Sequence, residues 1–239
     1  MNRQRRALVI EDDDDLRRLM STILNSTGFL VTAVGTGAEG LAAAESQNLD
    51  LITLDLTLPD TDGLLICRGI REVTSAYLLI LTARHDEVPL LVGLAAGADD
   101  YMTKPFSKLE LSARVSALMR RPRSLDPAIV TTAVLAHGDL QMDPGQRTAT
   151  IAGADLPVTR VEFDLLAALA TRPEQLVTRA DLLGEVWGST WSDSHLVDVH
   201  VANLRRKMRL AGGVVEVLTV RGMGYRLHRR SGAEVRERT

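Results

Sequence analysis

Short apolar runs that alternate with helical patterns are the strongest constraint on the first half of this 239-residue chain. The runs lie at 7–10, 29–34, 51–55 and 78–82, and a brief strand-like piece follows at 100–102. A segment with helical periodicity follows each of them. This alternation is typical of βαβ units. We therefore predict an α/β fold with a doubly wound, five-stranded parallel sheet.

Polar side chains stand where these predicted strands end. Acidic residues follow the first strand, Asp55 ends the third, Thr82 ends the fourth, and Lys104 follows the fifth. Ligands of such folds bind beyond the carboxyl ends of the strands. Carboxylates such as Asp12, Asp13 and Asp55 suit Mg²⁺, and a carboxylate beside a held cation can attack a phosphoryl donor. The sequence thus predicts a magnesium-dependent phosphoryl site.

A seam at 121–134, with two prolines and scattered polar residues, interrupts the periodicity. We predict one domain over 6–121, a flexible linker over 122–133 and a second domain over 134–230. The second domain opens with short strands near 138–142, 148–151 and 155–158. Three helices near 160–170, 179–186 and 194–210 follow, and the glycines near 222 predict a closing two-stranded hairpin. This order indicates an α+β domain.

Basic residues concentrate at the carboxyl end of the chain. Between positions 205 and 230 there are eight Lys or Arg residues and one acid, whereas positions 11–15 are five consecutive acids. The two extremes predict two sites with different partners. On a helical wheel of 194–210, Val197, Val201, Leu204 and Met208 share one apolar face. The predicted outward face carries His195, Asp198, Val199, Ala202, Asn203, Arg206 and Arg209.

Such a face is typical of a helix that enters the DNA major groove. Ala202 permits close approach and can touch a thymine methyl group, Asn203 can read adenine, and Arg206 can reach guanine or a phosphate. Arg205, at the flank, suits a phosphate, and Arg221 in the hairpin suits the minor groove. We also assign Arg209, His195 and Tyr225 to the DNA contacts.

Other classes of protein are excluded by composition. The single cysteine, Cys67, allows no internal disulfide and no cysteine-rich zinc site, and we expect it to be buried packing. No apolar run has the roughly 18 residues that a membrane span needs. The amino-terminal segment turns acidic where a signal peptide would continue apolar. We therefore expect a cytoplasmic protein without a membrane partner.

The spacing of these motifs resembles a known family. Glu11-Asp12, Asp55 in LDLTLPDTDG, Thr82-Ala83-Arg84 and GADDYMTKPF at 97–106 look like the receiver domain of bacterial response regulators. LVDVHVANLRRK at 196–207 and TVRGMGYRL at 219–227 are similar to the winged helix-turn-helix of the OmpR/PhoB subfamily. Together the motifs cover roughly residues 6–229.

The resemblance implies a role for each site residue. Asp55 would accept a phosphoryl group from a sensor histidine kinase. Mg²⁺, or Mn²⁺ in its place, would be held by Asp12, Asp55 and the backbone carbonyl of Thr57, with Glu11 in support. Thr82 and Tyr101 would form the switch pair, and Lys104 would contact the phosphate. The Lys104–Pro105 bond would be cis.

The resemblance also implies further partners. Phosphorylation would promote dimerisation of the receiver, and two DNA-binding domains would occupy a direct repeat in double-stranded DNA. The loop between Trp187 and Trp191 can meet RNA polymerase in that family, although we expect Trp187 to be buried. Cross-dimer ion pairs remain available to Asp99, Asp100, Glu110, Arg114 and Arg121. Leu90 stands where the family usually has the arginine that pairs with Glu110, so we expect a dimer of altered strength.

Two alternative functions stay open. A magnesium-dependent phosphatase also uses an aspartate nucleophile, but it needs a second acid two residues later, where this chain has Thr57. A constitutive DNA-binding protein with a vestigial receiver is the other alternative. Against both, we predict a phosphorylation-switched transcription regulator that is not an enzyme beyond its own phosphorylation and dephosphorylation.

Overall fold

The computed structural model describes residues 3–83, 87–119, 134–188 and 193–230, with backbone only for 87–90. The chain divides into two compact units between Met119 and Arg120. The predicted linker at 122–133 lies outside the described residues. No described helix is long and apolar enough to cross a bilayer.

The first unit alternates strands and helices along the chain. Its strands are β1 (Arg5–Ile10), β2 (Phe29–Val34), β3 (Leu51–Asp55), β4 (Tyr77–Thr82) and β5 (Asp100–Thr103). Its helices are α1 (Asp14–Ser26), α2 (Gly37–Ser46), α3 (Gly63–Val73), α4 (Glu87–Ala95) and α5 (Lys108–Leu118). The strands form one parallel sheet in the order β2-β1-β3-β4-β5. The predicted fold class is thereby confirmed.

The apolar strands form the core of this sheet. Every residue of β3 and β4 is buried, because helices cover both faces of a doubly wound sheet. Leu8, Ile52 and Leu78 have no exposed surface. Side-chain caps start the helices: Asp13 accepts from the Leu16 amide in α1, and Thr36 accepts from the Glu39 amide in α2. The sheet therefore presents the ends of its inner strands on a rigid base.

The second unit packs three helices with two antiparallel sheets. Its strands are β6 (Leu135–His137), β7 (Leu140–Asp143), β8 (Thr148–Ile151), β9 (Ala154–Asp155), β10 (Val177–Thr178), β11 (Val215–Val220) and β12 (Gly224–Arg229). Its helices are α6 (Arg160–Ala170), α7 (Arg179–Val186) and α8 (His195–Ala211). One sheet has the order β6-β7-β8-β9 and the other the order β10-β12-β11.

Sequence reasoning placed most of these elements and missed some short ones. Strands β6 and β10 were not predicted, and the strand expected over 155–158 stops at Asp155. Pro157 explains the early end, because proline cannot donate a hydrogen bond to a ladder. Gly224 begins β12 where a Cβ atom would lie 2.1 Å from the Val177 carbonyl oxygen, so β10 and β12 approach closely.

Candidate functional sites

Three carboxylates meet at the carboxyl edge of the parallel sheet. Glu11 follows β1 and is fully buried, Asp12 beside it is exposed, and Asp55 at the end of β3 is 3% exposed. One oxygen of each lies within 4.8 Å of one from each of the others. The donor set fits Mg²⁺ or Mn²⁺, which bind hard carboxylate oxygens. Asp13 instead caps α1.

Lys104 joins this cluster from the chain that follows β5. Its Nζ atom lies 2.6 Å from Asp55 Oδ2 and 2.8 Å from both carboxylate oxygens of Glu11. The Lys104 amide donates to the Thr82 carbonyl at 2.8 Å, and the Lys104–Pro105 bond is cis. We call Glu11, Asp12, Asp55 and Lys104 the acidic site.

The electrostatics of the acidic site favour a cation. Burial raises the pKa of Glu11 to about 7, although the hydrogen bond from Lys104 works against this shift. Burial alone would lower the pKa of Lys104, but hydrogen bonds to Asp55 and Glu11 outweigh burial and raise that pKa. Lys104 is thus positively charged. Even when Glu11 is protonated, Asp12 and Asp55 outnumber the one lysine, so the site attracts a divalent ion.

The remaining predicted residues lie in the loop after β3 and in strands β4 and β5. The Thr57 amide donates to Asp55 Oδ1 at 2.9 Å, which folds the loop after β3 back onto the acceptor carboxylate. Thr82 is buried at the end of β4, and Tyr101 is half-buried in β5, the neighbouring strand.

Sequence reasoning missed Arg17. Its Nη1 atom donates to the backbone carbonyls of Glu11 and Asp12, at 2.7 and 3.0 Å. Its other terminal nitrogen pairs with Asp14. The guanidinium therefore holds the loop that carries two of the three carboxylates. A basic residue one turn into the helix after an acidic run was the available signal.

The described residues that were predicted to make cross-dimer ion pairs are engaged within the chain; they are Asp99, Asp100, Glu110 and Arg114. The Asp99 side chain is fully buried, pairs with Arg71 of α3 and accepts from the Leu78 amide at 2.8 Å. Asp99 is thus already paired within the single chain, and its cross-dimer ion pair stays a prediction. Arg71 reaches it from 28 positions away, a contact that the spacing of the motif does not reveal.

Asp100 of β5 and Arg114 of α5 pair with each other. Arg114 Nη1 lies 3.4 Å from Asp100 Oδ1, and its other terminal nitrogen lies 3.4 Å from Glu110. Asp100 is fully buried in the single chain, and its cross-dimer ion pair stays a prediction. Burial raises its pKa to about 7, against the opposing charge of Arg114. Glu110 and Arg114 stay predicted dimer residues; Arg121 and the Leu90 side chain lie outside the described residues.

Helix α8 presents a basic face in the second unit. His195, Ala202, Arg206 and Arg209 are exposed on it, as predicted, and Arg205 is half-buried at its flank. Asn203 is only 9% exposed, so its predicted place on the outward face is wrong. The buried arc of α8 is wider than the four-residue apolar stripe, because it also includes Leu196 and His200. Asn203 falls at the edge of that arc.

Two other predicted DNA contacts, Tyr225 and Arg205, make hydrogen bonds within the second unit. Tyr225 is 4% exposed, and its hydroxyl donates to Asp198 Oδ1 at 2.6 Å, so the assignment of Tyr225 as a DNA contact does not agree with its burial. Arg179 donates to the same oxygen at 2.8 Å. Arg205 donates to the Val217 carbonyl at 2.6 Å and to Thr219 Oγ1 at 2.7 Å.

The hairpin of β11 and β12 and the end of α7 carry the next residues that the sequence singled out. Arg221 is exposed in the turn between β11 and β12, where Gly222 has a φ of +73°. Trp187 is fully buried, as predicted, and its ring lies 5.4 Å from that of His200. Trp191 lies outside the described residues.

Comparisons with known proteins agree with both halves of this description. Residues 7–116 match the response regulator receiver domain, and residues 153–227 match the C-terminal domain of transcriptional regulatory proteins. The DNA-binding response regulator MtrA of Mycolicibacterium smegmatis is 40% identical over 225 residues, which are 93% of this chain and 96% of that protein. This chain belongs to the DNA-binding response regulators.

A further relative and a solved structure match over a similar share of the chain. The sensory transduction protein RegX3 of the same organism is 37% identical over 222 residues, 92% of this chain and 97% of that protein. A solved structure of a RitR mutant superposes with a TM-score of 0.78 at 28% identity, over 95% of this chain and all of that one. A response regulator of this family combines a receiver with a DNA-binding domain.

Proposed function

We propose that this response regulator is a DNA-binding transcription regulator switched by phosphorylation of Asp55. A sensor histidine kinase is the proposed donor, and the receiver itself catalyses the transfer and the later loss of the phosphoryl group. The observation that carries the proposal is the acidic site, where Asp55 lies beside two further carboxylates and 2.6 Å from the Lys104 ammonium group.

Each residue of the acidic site has a proposed chemical role. A carboxylate oxygen of Asp55 forms a bond to phosphorus while the bond from phosphorus to the donor histidine nitrogen breaks. Glu11, Asp12, Asp55 and the Thr57 carbonyl would hold Mg²⁺ or Mn²⁺, which, when bound, offsets charge on the phosphoryl oxygens. Lys104 neutralises a further oxygen without moving far, because its ammonium already contacts Asp55.

The switch is proposed to run from the phosphate to the receiver surface. Thr82, at the end of β4, would hydrogen-bond the phosphoryl group, and Tyr101 on the adjacent strand would turn inward. Such a ligand shifts an existing equilibrium only by its differential affinity for the two states. The receiver would then dimerise through the face of α4, β5 and α5, where Glu110 and Arg114 lie.

The second unit is the proposed DNA reader. The exposed face of α8 would enter the major groove with Ala202 at its centre and Arg206 and Arg209 beside it. Arg221 would reach the minor groove. Arg205 keeps a proposed role at the phosphate backbone, although its guanidinium also ties α8 to β11. His195, at the start of α8, would contact the DNA backbone. The loop after Trp187 is the proposed contact for RNA polymerase.

Incubation with acetyl phosphate and Mg²⁺, followed by intact-mass measurement, tests the receiver half of the proposal. We expect one added phosphoryl group in the native chain and in Asp15→Asn, a matched control because Asp15 is exposed and outside the acidic site. Asp55→Asn should gain none, and Asp12→Asn should label slowly. Labelling that persists in Asp55→Asn, or at an unchanged rate with a chelator, would contradict the proposal.

A further inference from the structure

The loop that follows Asp55 is closed at its base and fixed at its tip. At the base, the Gly63 amide donates to the Leu56 carbonyl at 3.3 Å, and Thr57 pairs with Asp62 in an isolated antiparallel bridge. The proposed metal-binding carbonyl of Thr57 belongs to this base. The tip of the loop, residues 58–61, contains an exposed acid, Asp60.

The side chain of Asp60 contacts another element, the amino terminus of α2. Its Oδ1 atom accepts from the Gly37 amide and its Oδ2 atom from the Ala38 amide, each at 3.0 Å. These two bonds lower the pKa of Asp60, so the carboxylate is ionised. A carboxylate at a helix amino terminus also interacts favourably with the helix dipole.

The contact is more than a cap for α2. That helix has a cap of its own, because Thr36 Oγ1 accepts from the Glu39 amide at 3.3 Å. The loop and the start of α2 also pack tightly. A Cβ atom on Gly37 would lie 2.7 Å from Thr61 Cγ2 and from Ile66 Cγ1. Asp60 therefore joins two elements, the loop and α2, whereas Thr36 serves α2 alone.

We propose that Asp60 is a positioning residue for the acidic site, an inference that rests on the proposed function. Its two hydrogen bonds hold the tip of the loop, the bridge at Thr57 holds the base, and the Thr57 amide fixes Asp55 Oδ1 at 2.9 Å. Loss of the tie at Asp60 leaves the Thr57 carbonyl and the Asp55 carboxylate less well fixed toward a shared cation. Hydrogen bonds that orient metal ligands typically change metal affinity by about 10–100-fold.

The test measures Mn²⁺ binding to the unphosphorylated full-length chain by electron paramagnetic resonance. We expect Asp60→Ala to weaken Mn²⁺ binding by about tenfold. The matched control is Thr36→Ala, which removes a cap from the same helix end and leaves the loop tied. It should bind Mn²⁺ as the native chain does, within about twofold, a margin far below the effect expected at the tie. Equal weakening in both variants would overturn the proposal, since damage to α2 would then explain it.

Two further measurements separate positioning from loss of structure. Asp60→Asn keeps the side-chain volume and one acceptor oxygen, so we expect an intermediate weakening; native affinity in both Asp60 variants would overturn the proposal. In Asp60→Ala, the Mg²⁺ concentration for half-maximal labelling by acetyl phosphate should rise while the rate at saturating Mg²⁺ stays near the native value. If the native chain binds Mn²⁺ but takes no phosphoryl group, the proposed function fails, whereas the effect of Asp60 on Mn²⁺ binding still stands.

Discussion

Lys104 shows how single residues balance charge in the receiver. Its ammonium lies between two carboxylates, one of which, Glu11, has no exposed surface. Removal of one partner from a buried ion pair leaves the other charge without compensation, which is more costly than the pair is stabilising. The residue that would contact a phosphate is therefore also a structural residue before any phosphate arrives.

We predict that Lys104→Met lowers the free energy of unfolding by about 3 kcal/mol, the usual cost of breaking such a pair. Urea denaturation, followed by far-ultraviolet circular dichroism and by labelling of the buried Cys67 thiol, would measure it. Lys108→Met is the matched control, because Lys108 is exposed on α5. Equal stability of the two variants would show that Glu11 and Asp55 need no compensating charge.

In the second unit, Glu174 is a single charged residue whose hydrogen bonds stabilise the fold. Its Oε2 atom lies 2.9 Å from His228 Nδ1, and its Oε1 atom accepts from the Arg229 amide at 2.8 Å. The hydrogen bond with His228 is the main reason that the pKa of Glu174 falls to about 2. A depressed pKa means that the stabilisation is complete above the ordinary value of 4.5 and is lost as the pH falls toward 2.

Glu174→Gln should therefore destabilise the second unit by about 1 kcal/mol at pH 7, the size expected for a partly exposed charged hydrogen bond. The difference from the native chain should shrink steadily as the pH falls from 5 to about 3. Tryptophan fluorescence during urea denaturation reports on this unit, since both tryptophans lie in it. A difference independent of pH would exclude the ionised carboxylate as its cause.

At the scale of elements, the pattern of apolar residues predicted the strands whose positions depend on burial in the core. Strands β1, β3 and β4 were recognisable because continuous apolar runs are typical of strands covered on both faces. Their order then placed Asp55 and Lys104 at one edge. Periodicity did not predict the ties between elements. Asp60 and Arg17 look like ordinary loop and helix residues in the sequence, and only the folded chain brings them to Gly37 and to the Glu11 carbonyl.

Helix α8 illustrates the same limit. Four apolar residues defined its inner face in the sequence, yet the helix is covered on a wider arc that includes His200 and Asn203. A polar residue at the edge of an arc can lie on either side, and a wheel alone does not decide between them. The centre of the exposed face is now Ala202, whose methyl group suits a thymine methyl.

We predict that Ala202→Arg changes the preferred base at one position and costs about 1–3 kcal/mol on the native chain's selected site. Replacement of thymine by uracil at that position should weaken the native chain and leave Ala202→Arg unaffected. Asn203→Ala is the control: because Asn203 is buried, it should weaken selected and random DNA by the same factor. Titrations on both DNAs would measure this, and a loss of preference in Asn203→Ala alone would reverse our orientation of α8.

At the scale of the whole molecule, the chain carries the acidic site in one unit and the exposed basic face of α8 in the other. On the proposed function, phosphorylation of the acidic site would raise DNA affinity without any change in α8. A receiver dimer would bring two second units together, and their joint binding would gain from effective concentration, by about 10²–10⁴-fold when both half-sites are present. This mechanism differs from one in which the phosphate alters each second unit separately.

The two mechanisms predict different results on short DNA. If dimerisation is the cause, phosphorylation should raise affinity about 100-fold or more on a direct repeat and have almost no effect on one half-site. Asp55→Asn should show no gain on either DNA, and Asp15→Asn should behave as the native chain does. Fluorescence anisotropy with both DNAs, before and after acetyl phosphate, measures the ratio. An equal gain on one and on two half-sites would mean that phosphorylation acts within a single chain, and the proposed role of the dimer would then be wrong.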